Sequence, residues 1–191
     1  SFNTLRYTGA AGTITGNFTA NGILNSGTGA LTLSGTVSIG ASGELVLTNG
    51  DSNALRDIIV SGIIKDGASG TSSLTKAGLG NVTLSGANTY TGLTTISRGK
   101  VTLTSTGSLG SSSGGTRIGL SGRLTLAGGL TTAESIWMDD VTNAFNGGTL
   151  IENSGTNTLT GAIRVSSSTR WQSSGILNVT GGISTINSNS G

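Results

Sequence analysis

Carboxylates are the residues in this sequence whose type and spacing could support catalysis or hold a cation. Enzymes that cleave sugars need acids grouped on one face, one acting as acid and another as base or nucleophile. Asp139 and Asp140 are adjacent, but neighbouring side chains of a strand face opposite ways. Glu134 and Trp137 lie nearby, so a loop site for a sugar or Ca²⁺ is one interpretation, and a solvated turn is the one we favour. The sequence has eight carboxylates: Glu44, Asp51, Asp57, Asp66, Glu134, Asp139, Asp140 and Glu152.

A second group of charges lies between Asp51 and Asp66. It also contains Arg56, Asp57 and Lys65. One interpretation is a binding patch on the surface. The other, which we favour, is a longer loop with local ion pairs.

The composition excludes several kinds of chemistry. The sequence has no His and no Cys, which excludes Ser-His catalysis, imidazole and thiolate metal sites, and disulfides. The ten basic residues are scattered, whereas nucleic-acid binders concentrate them on one face. No apolar run approaches the length of a membrane span. We therefore expect no catalytic, cofactor or metal site, no nucleic-acid partner and no membrane insertion by this segment.

The high content of small residues indicates the structural class of the chain. It has 34 Gly, 9% charged residues, 34% hydrophobic residues and a formal net charge of +2. A disordered chain would combine few aliphatic residues with a high net charge, which does not fit. An all-β chain with many tight turns does fit, because Gly and Asn adopt the backbone angles that such turns need.

One short frame recurs along the chain: Gly, any residue, Leu or Val, any residue, Leu. Such alternation predicts a strand with one buried face, too short to be stable alone. Stacked copies would pair their backbones and align their Leu and Val side chains in a continuous core. The frame occupies residues 29–33, 43–47, 80–84, 99–103 and 122–126, and looser copies begin at Gly148 and Gly175.

The later copies begin 23 to 27 residues apart, at residues 99, 122, 148 and 175. This period suits a coil with three short strands and three turns. The sequence therefore predicts one all-β domain over residues 1–191, a three-sided parallel β-helix of about seven or eight rungs. The structural alternative is an immunoglobulin-like sandwich, which does not predict repeated blocks.

A seven-residue block occurs twice, as GANTYTG at 86–92 and as GTNTLTG at 155–161. The Tyr of the first copy is Leu in the second, which indicates a packing role. We interpret the Asn of each copy as a coil corner that hydrogen-bonds nearby backbone. The structural motif residues predicted from the two copies are Gly86, Asn88, Thr89, Tyr90, Gly92, Gly155, Asn157 and Gly161.

Residues 57–103 closely resemble the passenger-associated strand repeat of bacterial autotransporters. Residues 1–56 and 104–191 resemble degenerate copies of the same repeat. The elements that carry the resemblance are the Ile-rich strand at 59–63, LTKAGLG at 74–80, the strand and GANTYTG block at 82–92, and the strand region at 95–103.

The resemblance implies a right-handed β-helix, secretion across a Gram-negative envelope, and an extracellular or outer cell-surface location. It also implies a stalk rather than an active module, so we expect a non-catalytic stalk, fibre or filament element from a longer secreted chain. Open solenoid ends predict end-to-end self-association or continuation of the solenoid. The alternative functions are an adhesin for surface glycans or partner cells, a β-helical carbohydrate-active enzyme, and an ice-binding protein.

Overall fold

A computed structural model describes residues 1–50, 56–119, 121–138, 150–166 and 169–185. Within these ranges the chain forms 22 β-strands and no α-helix, and every pairing between the strands is parallel. In chain order the strands are β1 Phe2–Tyr7, β2 Gly12–Ile14, β3 Phe18–Asn25, β4 Leu31–Leu33, β5 Val37–Ile39, β6 Glu44–Asn49, β7 Ile58–Val60, β8 Ile64–Lys65, β9 Ser73–Ala77, β10 Asn81–Leu84, β11 Thr94–Ile96, β12 Gly99–Leu103, β13 Thr116–Ile118, β14 Gly122–Ala127, β15 Thr131–Thr132, β16 Ile136–Met138, β17 Leu150–Ser154, β18 Thr156–Leu159, β19 Ile163–Val165, β20 Arg170–Ser173, β21 Ile176–Val179 and β22 Ile183–Thr185.

The strands form three sheets. The first sheet has 11 strands in the order β22-β19-β16-β13-β11-β9-β6-β3-β5-β8, with β1 also paired to β3. The second sheet has eight strands in the order β2-β4-β7-β10-β12-β14-β17-β20, and the third is β15-β18-β21. Because each turn of the coil contributes one strand to the second sheet, the chain makes about eight turns. The predicted β-solenoid is therefore confirmed, and the sandwich alternative is wrong.

The second sheet shows how the short frame builds the core. Val82 stands opposite Val101 and Leu84 opposite Leu103, and all four side chains are buried. Thr83, between the two buried positions of β10, is partly exposed. Successive strands of this sheet are 19 to 27 residues apart. The predicted inward Leu and Val columns are thus confirmed, although the period varies more widely than the later copies of the frame indicate.

The first turns differ from a simple coil of three separate short strands. The eight-residue strand β3 pairs through Phe18–Ala20 with β5 and through Gly22–Asn25 with β6. The first sheet is therefore continuous around one corner of the early turns. Strands of the third sheet begin only at β15, and residues 86–92 form a corner that is not assigned as a strand.

The interior consists mainly of Leu, Ile and Val, but polar residues interrupt several of its columns. In the first sheet Lys76 stands between Leu47 and Ile96. In the neighbouring inward column Thr94 stands opposite Thr116. All of these side chains are buried, so the polar ones need hydrogen-bond partners inside the coil.

Candidate functional site

The GANTYTG block forms a corner whose Asn side chain joins three successive turns. The Asn88 Oδ1 atom accepts a hydrogen bond from the backbone N–H of Ile64 in the preceding turn, at 2.7 Å. Its Nδ2 atom donates to the carbonyl of Ser108 in the following turn, at 2.6 Å. The interpretation that the Asn hydrogen-bonds nearby backbone is therefore wrong for the Asn88 side chain, because its partners lie one turn away on either side.

The second copy of the block repeats part of this geometry. The Asn157 Oδ1 atom accepts from the backbone N–H of Leu130, one turn earlier, at 2.9 Å. The N–H of Thr158 then donates to the carbonyl of Leu130, as the N–H of Thr89 donates to that of Ile64. The two blocks thus dock on the preceding turn in the same way. Asn157 differs in that its Nδ2 atom donates to neighbours within its own turn.

Three glycines of the blocks allow successive turns to approach at the corners. A Cβ atom on Gly86 would collide with the carbonyl oxygen of Gly62, and one on Gly92 would lie 2.5 Å from that of Ser72. Gly161 lies against the carbonyl of Glu134 in the same way. Because the obstacle is backbone in each case, a side chain would have to push two turns apart.

Tyr90 lies inside the coil and is fully buried. Its hydroxyl lies 2.6 Å from the Oγ1 atom of Thr94, and Thr94 donates to the carbonyl of Leu109 at 3.3 Å. Tyr90 therefore donates to Thr94, and burial raises the pKa of the phenol above its ordinary value. Leu159, which replaces the Tyr in the second block, is also buried, in agreement with a packing role.

Glu134 lies in the same interior and is only 2% exposed. Its Oε1 atom accepts a hydrogen bond from the Thr116 hydroxyl at 3.1 Å. Burial raises the pKa of the carboxyl to about 7, although the Thr116 hydrogen bond partly opposes the shift. Glu134 is thus neither in a solvated turn nor in a surface sugar site with the partly exposed Trp137. Asp139 and Asp140 lie outside the described residues.

The charges between Asp51 and Asp66 are not in a single longer loop, because β7 and β8 lie between them. The Asp66 Oδ1 atom accepts from the backbone N–H of Ser72 at 2.9 Å and of Thr91 at 3.0 Å. Asp66 therefore fixes the end of the GANTYTG corner to the preceding turn. Asp51 lies outside the described residues.

Lys76 is a buried cation that the sequence analysis did not single out. Burial lowers the pKa of its ammonium to about 8, and the negative charge of Asp57 opposes this shift. The sequence did indicate its position, because Lys76 lies two residues after the inward-facing Leu74. Alternation along a strand therefore places both side chains on the inner face. The ammonium donates to three backbone carbonyls, those of Ala77, Gly78 and Arg98.

These arrangements stabilise the coil rather than present reactive groups to a substrate. Tyr90, Thr94, Lys76 and Glu134 are all buried, and each is hydrogen-bonded to the chain itself. Among the described residues there is no group of three or more His, Cys, Asp or Glu side chains that could hold a metal ion. A search of the same residues found no helix that could span a membrane.

The corner glycines provide a test of the stacking. We expect Gly92→Ala to lower the free energy of unfolding by about 1–3 kcal/mol, because its Cβ would push against the backbone of the preceding turn. Gly16→Ala is the matched control, since its Cβ would meet no atom within 4 Å, and we expect a change within about 0.5 kcal/mol. Urea unfolding of both variants measures the difference. Equal effects would contradict the proposed role of close approach.

The buried carboxyl predicts a pH dependence of stability. The folded-state pKa of Glu134, about 7, lies above the value of about 4.3 for an unfolded chain. Between these values the folded protein binds a proton that the unfolded chain has released, so stability is greatest at acidic pH and falls as pH rises toward 7. Glu134→Gln should remove this fall in urea unfolding midpoints, whereas Glu44→Gln, at an exposed position, should retain it. An unchanged pH profile in Glu134→Gln would refute the assignment.

The corner described above coincides with the part of the chain that matches a known family. Residues 74–104 match the family described as Passenger-associated-transport-repeat. Comparison with curated proteins and with solved structures found no match. The matched residues run from β9 through β12 and include the whole GANTYTG corner. Residues 74–104 therefore resemble a passenger-associated-transport repeat and lie within a longer β-solenoid.

Proposed function

We propose that this chain is a non-catalytic structural solenoid of the autotransporter passenger type, a stalk or fibre element at the outer surface of a Gram-negative-type bacterium. The observation that supports this most strongly is the in-register parallel stack of about eight turns that contains the passenger repeat. Each turn hydrogen-bonds to its neighbours, an arrangement that suits a stiff spacer. At about 4.8 Å per turn the stack is about 35–40 Å long.

The passenger repeat also supports an exported location. Repeats of this family imply secretion to the cell surface or the medium. A chain without Cys is compatible with an oxidising compartment, because it cannot form incorrect disulfides there. Without disulfides, the stability of the fold comes from packing in the continuous core and from hydrogen bonds at the strands and corners.

The last described turn supports a proposal about partners. Trp171 and Ile183 continue the inward columns of Ile151 and Ile163, yet they are 37% and 57% exposed. We propose that a further turn of parallel strands covers them, from a continuation of the chain or from a second copy. If a second copy provides it, light scattering of this chain should show association that increases with concentration, and Ile183→Lys should weaken it. A monomer at all concentrations would contradict the second-copy arrangement.

Electron microscopy combined with surface proteolysis tests the proposed function. Negative-stain images of the protein isolated from its source cells should show rods longer than the ~40 Å of one such solenoid. Protease added to intact cells should degrade the protein and spare a cytoplasmic control protein. Compact particles together with full protection in intact cells would contradict the proposal.

A further inference from the structure

The outer surface of the second sheet carries a groove beside the stacked strands. It encloses about 400 Å³ at the edge of β10, β12 and β14. We call it the charged groove and define it by six of its lining residues: Asp57, Leu79, Asn81, Lys100, Ser121 and Arg123.

The parallel register arranges the charges of the groove in a line along the solenoid axis. Asn81 stands opposite Lys100, and Lys100 opposite Arg123, each one turn further on. On the other side of Asn81 its Nδ2 atom donates to the Asp57 Oδ2 atom at 2.8 Å. The line therefore runs from one carboxylate through an amide to two cations.

The two cations are available to a ligand. Among the described residues, the Lys100 ammonium makes no hydrogen bond or ion pair. Arg123 is half exposed, and its partner Glu152 lies 3.7 Å away. Exposed pairs of this kind contribute little to stability, so Arg123 can exchange this partner for a ligand at small cost.

One further feature of the groove has no evident role in the fold. Leu79 is 44% exposed and presents an apolar side chain at the wall. It is placed to contact an occupant of the groove. Ser121 also lines the groove, and its φ angle of 62° belongs to the turn that the Gly122 N–H closes on the Gly119 carbonyl at 2.9 Å.

We propose that the charged groove binds an anionic polysaccharide along the solenoid axis. Carboxylates on successive sugar units would pair with Lys100 and Arg123, hydroxyl groups would hydrogen-bond to Asn81, and a ring face would pack on Leu79. A polysaccharide fits better than an acidic peptide, because each sugar acid unit offers both a carboxylate for a cation and an apolar ring face for Leu79.

Calorimetric titration with a hexamer of galacturonic acid tests the proposal. We expect measurable binding that weakens with added salt and is lost with the neutral methyl ester of the same hexamer. The double variant Lys100→Gln/Arg123→Gln should bind at least about tenfold more weakly, because two charge-assisted contacts are removed. Arg164→Gln, an exposed cation of the first sheet, is the matched control and should bind like the parent protein.

Three results would overturn the proposal. One is no binding of the acidic hexamer by the parent protein at millimolar concentration. Another is an equal loss of affinity in the Arg164→Gln control, which would indicate attraction to the overall charge. The third is tighter binding of a Glu hexamer than of the sugar acid, which would assign the groove to a protein partner. Circular dichroism of the double variant confirms that the coil remains folded.

Discussion

The backbone hydrogen bonds between successive turns are the constraint on which the other features of this protein depend. Each short strand obtains its partners from the turns before and after it, so the strands must stack in parallel and in register. Because side chains alternate, a slip of one residue would turn Val82 and Leu84 out of the core. The corner glycines serve the same constraint, since Gly92 allows its turn to approach the carbonyl of Ser72.

Polar residues inside the coil complete this hydrogen bonding where the strands end. Asn88 joins three turns. Lys76 donates to the carbonyls of Gly78 and Arg98, which lie just outside the strands. Glu134 occupies a corner position that Gly161 takes in the following turn, and its carboxyl is directed inward to Thr116. Their burial has an electrostatic cost, which is expressed in the raised pKa of Glu134 and the lowered pKa of Lys76. In return, Asn88 and Glu134 form their side-chain hydrogen bonds only when successive turns are correctly aligned.

The features that could be predicted from the sequence were those that recur in it at regular intervals. Alternation placed Val82 and Leu84 in the core, and the repeated block indicated that Tyr90 packs. The interior position of Glu134 was not predictable, because it lies between strands, where alternation carries no information. The charged groove was also missed, since Lys100 and Arg123 are 23 residues apart and become neighbours only through the register.

Disulfide trapping in this Cys-free chain tests the register most directly. Thr83 and Thr102 stand opposite each other on adjacent turns, and Thr125 lies one turn further on. The account predicts that Cys at positions 83 and 102 will form a disulfide under mild oxidation. Cys at positions 83 and 125, about 10 Å apart, should not, because a disulfide needs Cα atoms within about 7 Å. Ready bonding of the second pair and not the first would contradict the stacking on which the account rests.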